Sequence, residues 1–511
     1  MTGTQLAASA ASGLLLALSR PPFDAWPLAL VALLPLLWVW LDDAPGAAAL
    51  HGFVAGVAYY GVLVSWSWYF GAVAIVPFVS VLACSFAAIG AATAWLRRAG
   101  LASAWTTAAV WVSAEALLAR WPLGGFSWGE VGVSFHDLEV ARALASVGGV
   151  PLVGFLAVAG QAGASARLRG GSRPSAVSRV SALLLVAGLA AALALRPTTD
   201  PTGELRVALV QGNDLNRDLT PAEVAERYLP RSHFELAEGL EAPLDLVVFP
   251  ESSMDADPRR DAYLEAELRA AAERLDAWVL ANATADAPDG RALNLNVLYA
   301  PDGRLVGTYA KRHLVPFGEY IPFRSALDWI PALDQVPRDY APGTRAGLFN
   351  VGGHRVATVI CFESAFAADV RPLVREGAEV VVVTTNNRSY RRSGNSAQHL
   401  ALSQMRAAET GRPVLHASIS GITAVIDADG TLRHTTDLFD RTVVTTTVTG
   451  REGQTLYVRH GDWVVVASLA ALGAATLAAL VRRRRRSVDS APGSGGPPPG
   501  GPHAEATGER A

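Results

Sequence analysis

Cysteine and charge are both scarce in this 511-residue sequence. There are two cysteines, Cys84 and Cys361, and Asp, Glu, Lys and Arg together make up 17%, against about 25% in ordinary soluble domains. One thiol sits in an apolar run and the other in the more polar second half, so no disulfide framework is indicated. The formal net charge of −3 excludes a general nucleic-acid binder, which needs a basic surface. There is no H-E-x-x-H, no C-x-x-C and no phosphate-cradling glycine loop, so the sequence implies no metal, nucleotide or other cofactor.

Apolar residues fill the first 200 positions. Runs at 4–19, 27–42, 48–70, 72–95, 101–118, 146–166 and 178–195 predict about seven membrane helices within residues 1–199, and a further one at 462–481. Arg482 to Arg486 follow the last run, and lysine and arginine collect on the cytoplasmic side. That places the C-terminal end inside, the polar region 204–450 outside and the N-terminus inside. Arg97 and Arg98, and the loop carrying Arg167, Arg169, Arg173 and Arg179, then also fall inside. The outside loops PPFDAWP (21–27) and RWPLGGFSWGE (120–130) carry aromatics suited to the headgroup level, or to shaping lipid access to the outer domain. Residues 487–511 are rich in Gly, Pro and Ser and predict a disordered cytoplasmic tail.

Region 204–450 alternates apolar strands with polar helical stretches. LRVALVQG, LDLVVFPE, AWVLANAT, LNVLYA, VATVICFE, AEVVVVTT, PVLHASIS, TAVIDA and VVTTTVT read as strands. AEVAERYL, RDAYLEAELRAAAERL and SAQHLALSQMRAAET read as helices, and PDG (301–303) and DADG (427–430) as hairpin turns. Strands apolar on both faces predict two sheets with helices outside, an αββα sandwich.

Three stretches carry the chemistry: FPES at Glu251, YAKRHLVPFGEY at Lys311 and VICFESAF at Cys361. A thiol at a strand end, a carboxylate to take its proton and a cation to stabilise an oxyanion together permit acyl transfer through a thioester. A lone thiol facing an oxidising compartment is a liability unless it is used.

These strings resemble the nitrilase, or carbon–nitrogen hydrolase, superfamily, and more closely its membrane branch, the apolipoprotein N-acyltransferases. The resemblance extends along nearly the whole chain: PPFDAWPLA, GGFSWGEVG, LVQGN at 209–213, FPES, KRHLVPFGEYIPF, CFES and SAQHLALSQMRAAETGRPVLHASISGITAVID. It implies Glu251 as general base, Cys361 as nucleophile and Lys311 as the cation on the oxyanion. It also implies Glu319 as the acid that positions the lysine, Phe362 beside the nucleophile with its N–H as an oxyanion donor, and Glu363 as a further supporting acid. The expected donor is a phospholipid and the acceptor a diacylglyceryl apolipoprotein, handled by a monomer in a bacterial cytoplasmic membrane, with residues 204–450 as the extracytoplasmic catalytic domain. A tethered amidase would use the same trio, but a tether needs one span.

Two stretches depart from the family pattern. The tryptophan expected a few residues after LVQGN is replaced near Thr220, and NNRSYRRSG at 386–394 lacks an aromatic–Gly pattern. Gly125 to Gly129 fit G-x-S-x-G, but a nucleophilic Ser127 would need a strand before it. His313, His399 and His416 raise a Cys–His pair, for which a loop residue and a strand residue are the simpler readings of His313 and His416.

Overall fold

The computed structural model describes residues 2–170, 186–191, 193–194, 199–215, 219–327 and 329–489. Most of the expected span at 178–195, Arg173, Arg179 and all of 490–511 lie outside the described residues.

The N-terminal part is helical: α1 (Gly3–Leu18), α2 (Leu34–Trp40), α3 (Pro45–Leu63), α4 (Ala72–Arg98), α5 (Ala104–Leu118) and α6 (Glu139–Leu168). Among the described residues, four helices are long and apolar enough to cross a membrane: α3, α4, α6 and the Trp463–Val481 part of the last helix. The apolar run at 27–42 is not one helix but a 3-10 turn, Trp26–Leu30, followed by α2. The run at 48–70 likewise ends its α-helix at Leu63 and continues as a 3-10 turn, Ser65–Phe70. α6 begins before its apolar stretch and bends at Gly148 and Gly149. Small residues let these helices approach: a Cβ on Gly13 would collide with the Ala55 carbonyl, and one on Gly52 with the Phe86 carbonyl.

The second part holds two six-stranded sheets. One has the order β12-β1-β2-β3-β4-β5 and the other β11-β10-β9-β8-β7-β6. The first comprises β1 (Asp200–Gln211), β2 (Leu246–Val248), β3 (Trp278–Asp286), β4 (Ala292–Tyr299), β5 (Leu305–Ala310) and β12 (Thr442–Glu452). The second comprises β6 (Leu348–Val351), β7 (His354–Ile360), β8 (Val380–Thr385), β9 (Val414–Ser418), β10 (Ala424–Ile426) and β11 (Leu432–Thr435). Leu205, Val207 and Leu209 of β1 face Val356, Val380 and Leu415 of the other sheet across a shared core. Ala208 and Val210, on the opposite face of β1, pack on Phe234, Leu264 and Leu268 of the covering helices. Each central strand is therefore covered on both sides, which is why its sequence is apolar without alternation. The expected αββα sandwich is what the chain forms. AEVAERYL does not form one helix: the left-handed Arg227 (φ 55°) separates Pro221–Ala225 from Tyr228–Glu238.

The two parts share a core. Phe362, Ala365, Phe366, Ala401, Leu402 and Met405 belong to the same apolar cluster as the helices α1 to α6. The helix Asn395–Thr410 is buried along almost its whole length between the second sheet and the membrane helices. Gln398 and Glu409 carry polar contacts across to those helices. Gln398 accepts from the indole N–H of Trp66 (3.1 Å) and of Trp128 (2.8 Å) and donates to the carbonyls of Pro21 and Leu63. Glu409 accepts from the Val150 N–H at 2.7 Å, in α6. Buried polar groups paired this fully hold a relative orientation as well as a contact.

Candidate active site

The site forms where parallel strands of the two sheets end. β2 stops at Val248, and Glu251 follows in a tight turn with Ser252 at φ 61°. β7 stops at Ile360, and Cys361 opens a 3-10 turn, Cys361–Ala365, with φ 52°. A non-glycine residue at positive φ leaves the strand geometry, and such strain is typical of functional positions. Lys311 comes directly after β5, and its backbone N–H donates to the Asn294 carbonyl.

Lys311 is fully buried, and its Nζ lies 3.0 Å from Glu319 Oε1 and 3.4 Å from Glu251 Oε1. It is the only lysine in the sequence, where every other one of the 43 Lys and Arg residues is arginine. A compact ammonium with three rotatable donors fits between two carboxylates where a planar guanidinium fork does not. Burial works against its charge, but Glu251 and Glu319 outweigh that and hold the ammonium well above its ordinary range.

Asn294, on β4, donates through Nδ2 to Glu251 Oε1 (2.6 Å) and to Glu319 Oε1 (2.9 Å). Glu251 Oε2 accepts from the Asn386 N–H, and Glu319 Oε2 from the Val315 N–H, both at 2.8 Å. Asn282 donates to the amide oxygens of Asn294 and Asn296, and Asn296 donates across to Thr358 and Thr384 of the other sheet. A buried amide chain thus ties the carboxylates to both sheets.

Cys361 is half-buried, within electrostatic reach of Glu251 and Lys311, with Thr385 near its sulfur. Burial, reinforced by the Glu251 charge, pushes the thiol up to about 12 despite Lys311. At neutral pH the resting group is therefore a thiol, with the Glu251 carboxylate near it.

Glu363 acts as a tie. It accepts from Ile360 N–H, Arg312 N–H, His313 N–H and the Tyr309 hydroxyl at 2.7 to 3.1 Å, joining the cysteine turn to the lysine loop. Burial raises its carboxyl, and the backbone donors oppose that. Phe362 turns its ring away from the sheets, onto Trp128 (6.4 Å between centroids) and Phe126 (6.3 Å) of the membrane part.

The structure thus brings together all six residues singled out in the sequence: Glu251, Lys311, Cys361, Glu319, Phe362 and Glu363. Two family models match the chain. The apolipoprotein N-acyltransferase N-terminal domain matches residues 12–163, and the carbon–nitrogen hydrolase domain matches residues 206–456. The apolipoprotein N-acyltransferase of Azotobacter vinelandii is 35% identical over 90% of this chain and 92% of its own. That of Geobacter metallireducens is 31% identical over 92% of this chain and 94% of its own. The chain belongs to the apolipoprotein N-acyltransferase family. Among solved structures, a CN-hydrolase superfamily protein from Xanthomonas campestris aligns with 53% of this chain and 97% of its own, at 23% identity and a TM-score of 0.39.

Within this acyltransferase family fold, the motif strings did not single out Asn294, Tyr309, Thr385 or Gln398. Asn294 and Asn296 had a signal in the sequence, as two amides in a strand otherwise apolar. Tyr390, in the departing NNRSYRRSG stretch, packs edge-on to Trp66 (4.8 Å) beside Cys361, Lys311 and Glu251, so this stretch does bring an aromatic to the site. Thr220 caps the helix Pro221–Ala225, its hydroxyl accepting from the Glu223 N–H. His399 donates from Nε2 to the Cys361 carbonyl at 3.0 Å, so it serves the backbone of the cysteine and not its sulfur. Burial lowers that imidazole to about 4 and keeps it neutral. His313 pairs with Asp369 and His416 with Ser403. Gly125 to Gly129 follow α5 through turns, with no strand before Ser127.

Proposed function

We propose that this protein transfers an acyl chain from a phospholipid to the α-amino group of the N-terminal S-diacylglyceryl cysteine of apolipoproteins, through a thioester on Cys361. The membrane helices sit in the bacterial cytoplasmic membrane, and the residue 204–450 domain works on its outer face. The observation that carries the reading is the buried cluster of one ammonium, Lys311, between two carboxylates, Glu251 and Glu319, beside the Cys361 thiol.

In the first half-reaction, Cys361 Sγ attacks the ester carbonyl of the phospholipid while Glu251 takes the thiol proton. Lys311 and the Phe362 N–H stabilise the oxyanion that forms. The intermediate collapses, the glycerol oxygen leaves with the proton returned by Glu251, and a lysophospholipid departs. In the second half-reaction, the acceptor amine attacks the thioester and gives its proton to Glu251. Collapse forms the amide bond and releases the sulfur, which regains the proton. Glu319 and Asn294 fix where Lys311 and Glu251 sit, and Glu363 fixes the turn that presents Cys361.

An amide hydrolase could use the same trio on small substrates. The single apolar core joining the cysteine turn to the membrane helices favours a lipid donor instead, because Phe362 and Phe366 pack into those helices directly beside the nucleophile. A dry, lipid-facing site also protects a thioester from water. The test is transfer with the purified full-length protein, a phospholipid and a diacylglyceryl peptide. Equal yields of lysophospholipid and triacylated peptide are expected from the wild type and neither from Cys361→Ala. Peptide amide hydrolysis without acyl transfer would refute the reading.

A further inference from the structure

His399 stands in the buried helix Asn395–Thr410, and no step of the acyl transfer described above uses it. Its ring is wedged behind the cysteine turn, 5.5 Å between centroids from Trp128 and 5.0 Å from His416. Both ring nitrogens are occupied. Nδ1 lies 3.3 Å from the amide Nδ2 of Asn387 and 3.3 Å from the Thr385 hydroxyl. An amide nitrogen can only donate, so Nδ1 accepts and the one proton of the neutral ring sits on Nε2. Nε2 is 3.0 Å from the Cys361 carbonyl and 2.8 Å from the Ser364 hydroxyl, which itself donates to that carbonyl at 3.0 Å. His399 and Ser364 are closed to solvent, so no water competes for these bonds.

The Cys361 carbonyl and the Phe362 N–H are the two ends of one planar, trans peptide group. With the carbonyl tied to His399 and Ser364, the N–H is directed the opposite way, out from the helix. Among the described residues no group of the protein accepts from the Phe362 N–H, whereas the nearby Ile360 N–H is taken by Glu363. Cys361 takes φ 52°, a backbone conformation that persists only where its surroundings hold it. Two donors on the carbonyl resist rotation of the following peptide. They also draw electron density toward its oxygen, which strengthens the N–H at the other end as a donor.

We propose that His399, assisted by Ser364, is a positioning residue for the oxyanion: it holds and polarises the 361–362 peptide so that the Phe362 N–H is fixed as a donor. This rests on the acyl-transfer reading above and adds to it a side chain that acts on the oxyanion through the backbone, without touching the lipid or the sulfur.

The test compares two reactions of the same thiol in the full-length protein. Acylation by phospholipid passes through a tetrahedral oxyanion. Alkylation by iodoacetamide forms the carbon–sulfur bond as iodide leaves, and no oxyanion develops. Single-turnover acylation of Cys361, followed by intact mass, and alkylation at the same pH are measured for the wild type, His399→Leu, His399→Gln and Ser364→Ala. His399→Leu should slow acylation by about 10- to 100-fold, less than the roughly 100- to 1000-fold cost of deleting an oxyanion donor outright. Its alkylation rate and the lipid KM should stay near wild type. His399→Gln, which can return an N–H to the carbonyl, should recover most of the rate. Ser364→Ala should show the same split at smaller size. Unchanged acylation in His399→Leu overturns the proposal. Equal losses in acylation and alkylation also overturn it, since they mark a displaced cysteine. If His399→Leu does not fold, Ser364→Ala decides, and a wild-type acylation rate there refutes the role. If wild-type Cys361 is alkylated but never acylated, the acyl-transfer reading falls and the positioning role with it.

Discussion

Asn294 Nδ2 lies 2.6 Å from Glu251 Oε1 and donates a hydrogen bond to it. The same nitrogen reaches Glu319, so one amide spaces the two carboxylates that flank Lys311. Asn294→Leu removes that donor while keeping the volume. It should lower kcat by about 10- to 100-fold, the usual cost of losing a partner that orients a reacting group, with a smaller change in KM. Asn294→Asp should be worse, because it sets a third carboxylate around one ammonium. Steady-state acyl transfer in detergent checks both. An Asn294→Asp rate near wild type would contradict the assigned spacing role.

The thiol should titrate late. Burial and Glu251 push Cys361 up to about 12, so the thiolate fraction grows about tenfold per pH unit from pH 7 to beyond pH 10. Iodoacetamide alkylation should rise in step, with no plateau near the ordinary thiol value of about 8.5. Glu251→Gln removes a negative charge beside the sulfur, which favours the thiolate, so its alkylation at fixed pH should quicken. Its acyl transfer should nevertheless fall by 100-fold or more, on the order expected for loss of a general base. Lys311→Met should slow alkylation, since the cation lowers the thiol. Slower alkylation in Glu251→Gln would contradict the electrostatics described here.

Glu363 holds the cysteine turn through four donors. Glu363→Gln replaces an acceptor oxygen with an amide nitrogen that faces N–H groups. It should cost about 100-fold in kcat, the scale of a misplacement near 1 Å. Tyr309→Phe removes one donor to a buried carboxylate and should cost about 1.5–3 kcal/mol of stability. Thermal unfolding and single-turnover acylation of Cys361 measure the two effects separately. Full acylation rates in Glu363→Gln would show that the turn does not depend on this tie.

Gln398 carries the polar contact between the membrane helices and the catalytic domain. Gln398→Leu strands the indole N–H groups of Trp66 and Trp128 and the carbonyls of Pro21 and Leu63. A buried group left unpaired costs about 1–3 kcal/mol, so the variant should unfold at a visibly lower temperature. Donor-lipid KM should rise more than kcat falls, because the orientation of the domain over the membrane is what weakens. An unchanged melting temperature would refute the clamp.

The sequence made the central strands legible because each is covered on both faces and reads as an unbroken apolar run. β5, β6 and β11 are absent from the strands predicted, and each is the edge of its sheet with at least one exposed face. LFNV and LRHT are only four residues long and LVGTYA is broken by Gly307 and Thr308, so none reads as a strand, although the PDG and DADG turns beside β5 and β11 were readable. Glu251, Lys311 and Cys361 were legible because they sit in recognisable strings at strand ends. Their supports were not. Asn294 reaches Glu251 across 43 residues of chain, and Gln398 reaches Trp66 across 332, distances at which a sequence pattern carries no geometry. Lys311 had an independent signal in composition. A chain that uses arginine at every other basic position keeps one lysine, and that lysine lies between two carboxylates.

The central claim is a covalent acyl group on Cys361, and intact-protein mass after incubation with phospholipid alone tests it most directly. The account predicts an acyl-sized gain on the wild type, removed by hydroxylamine and absent from Cys361→Ala. No gain on a folded wild-type protein would contradict the thioester and with it the phospholipid donor.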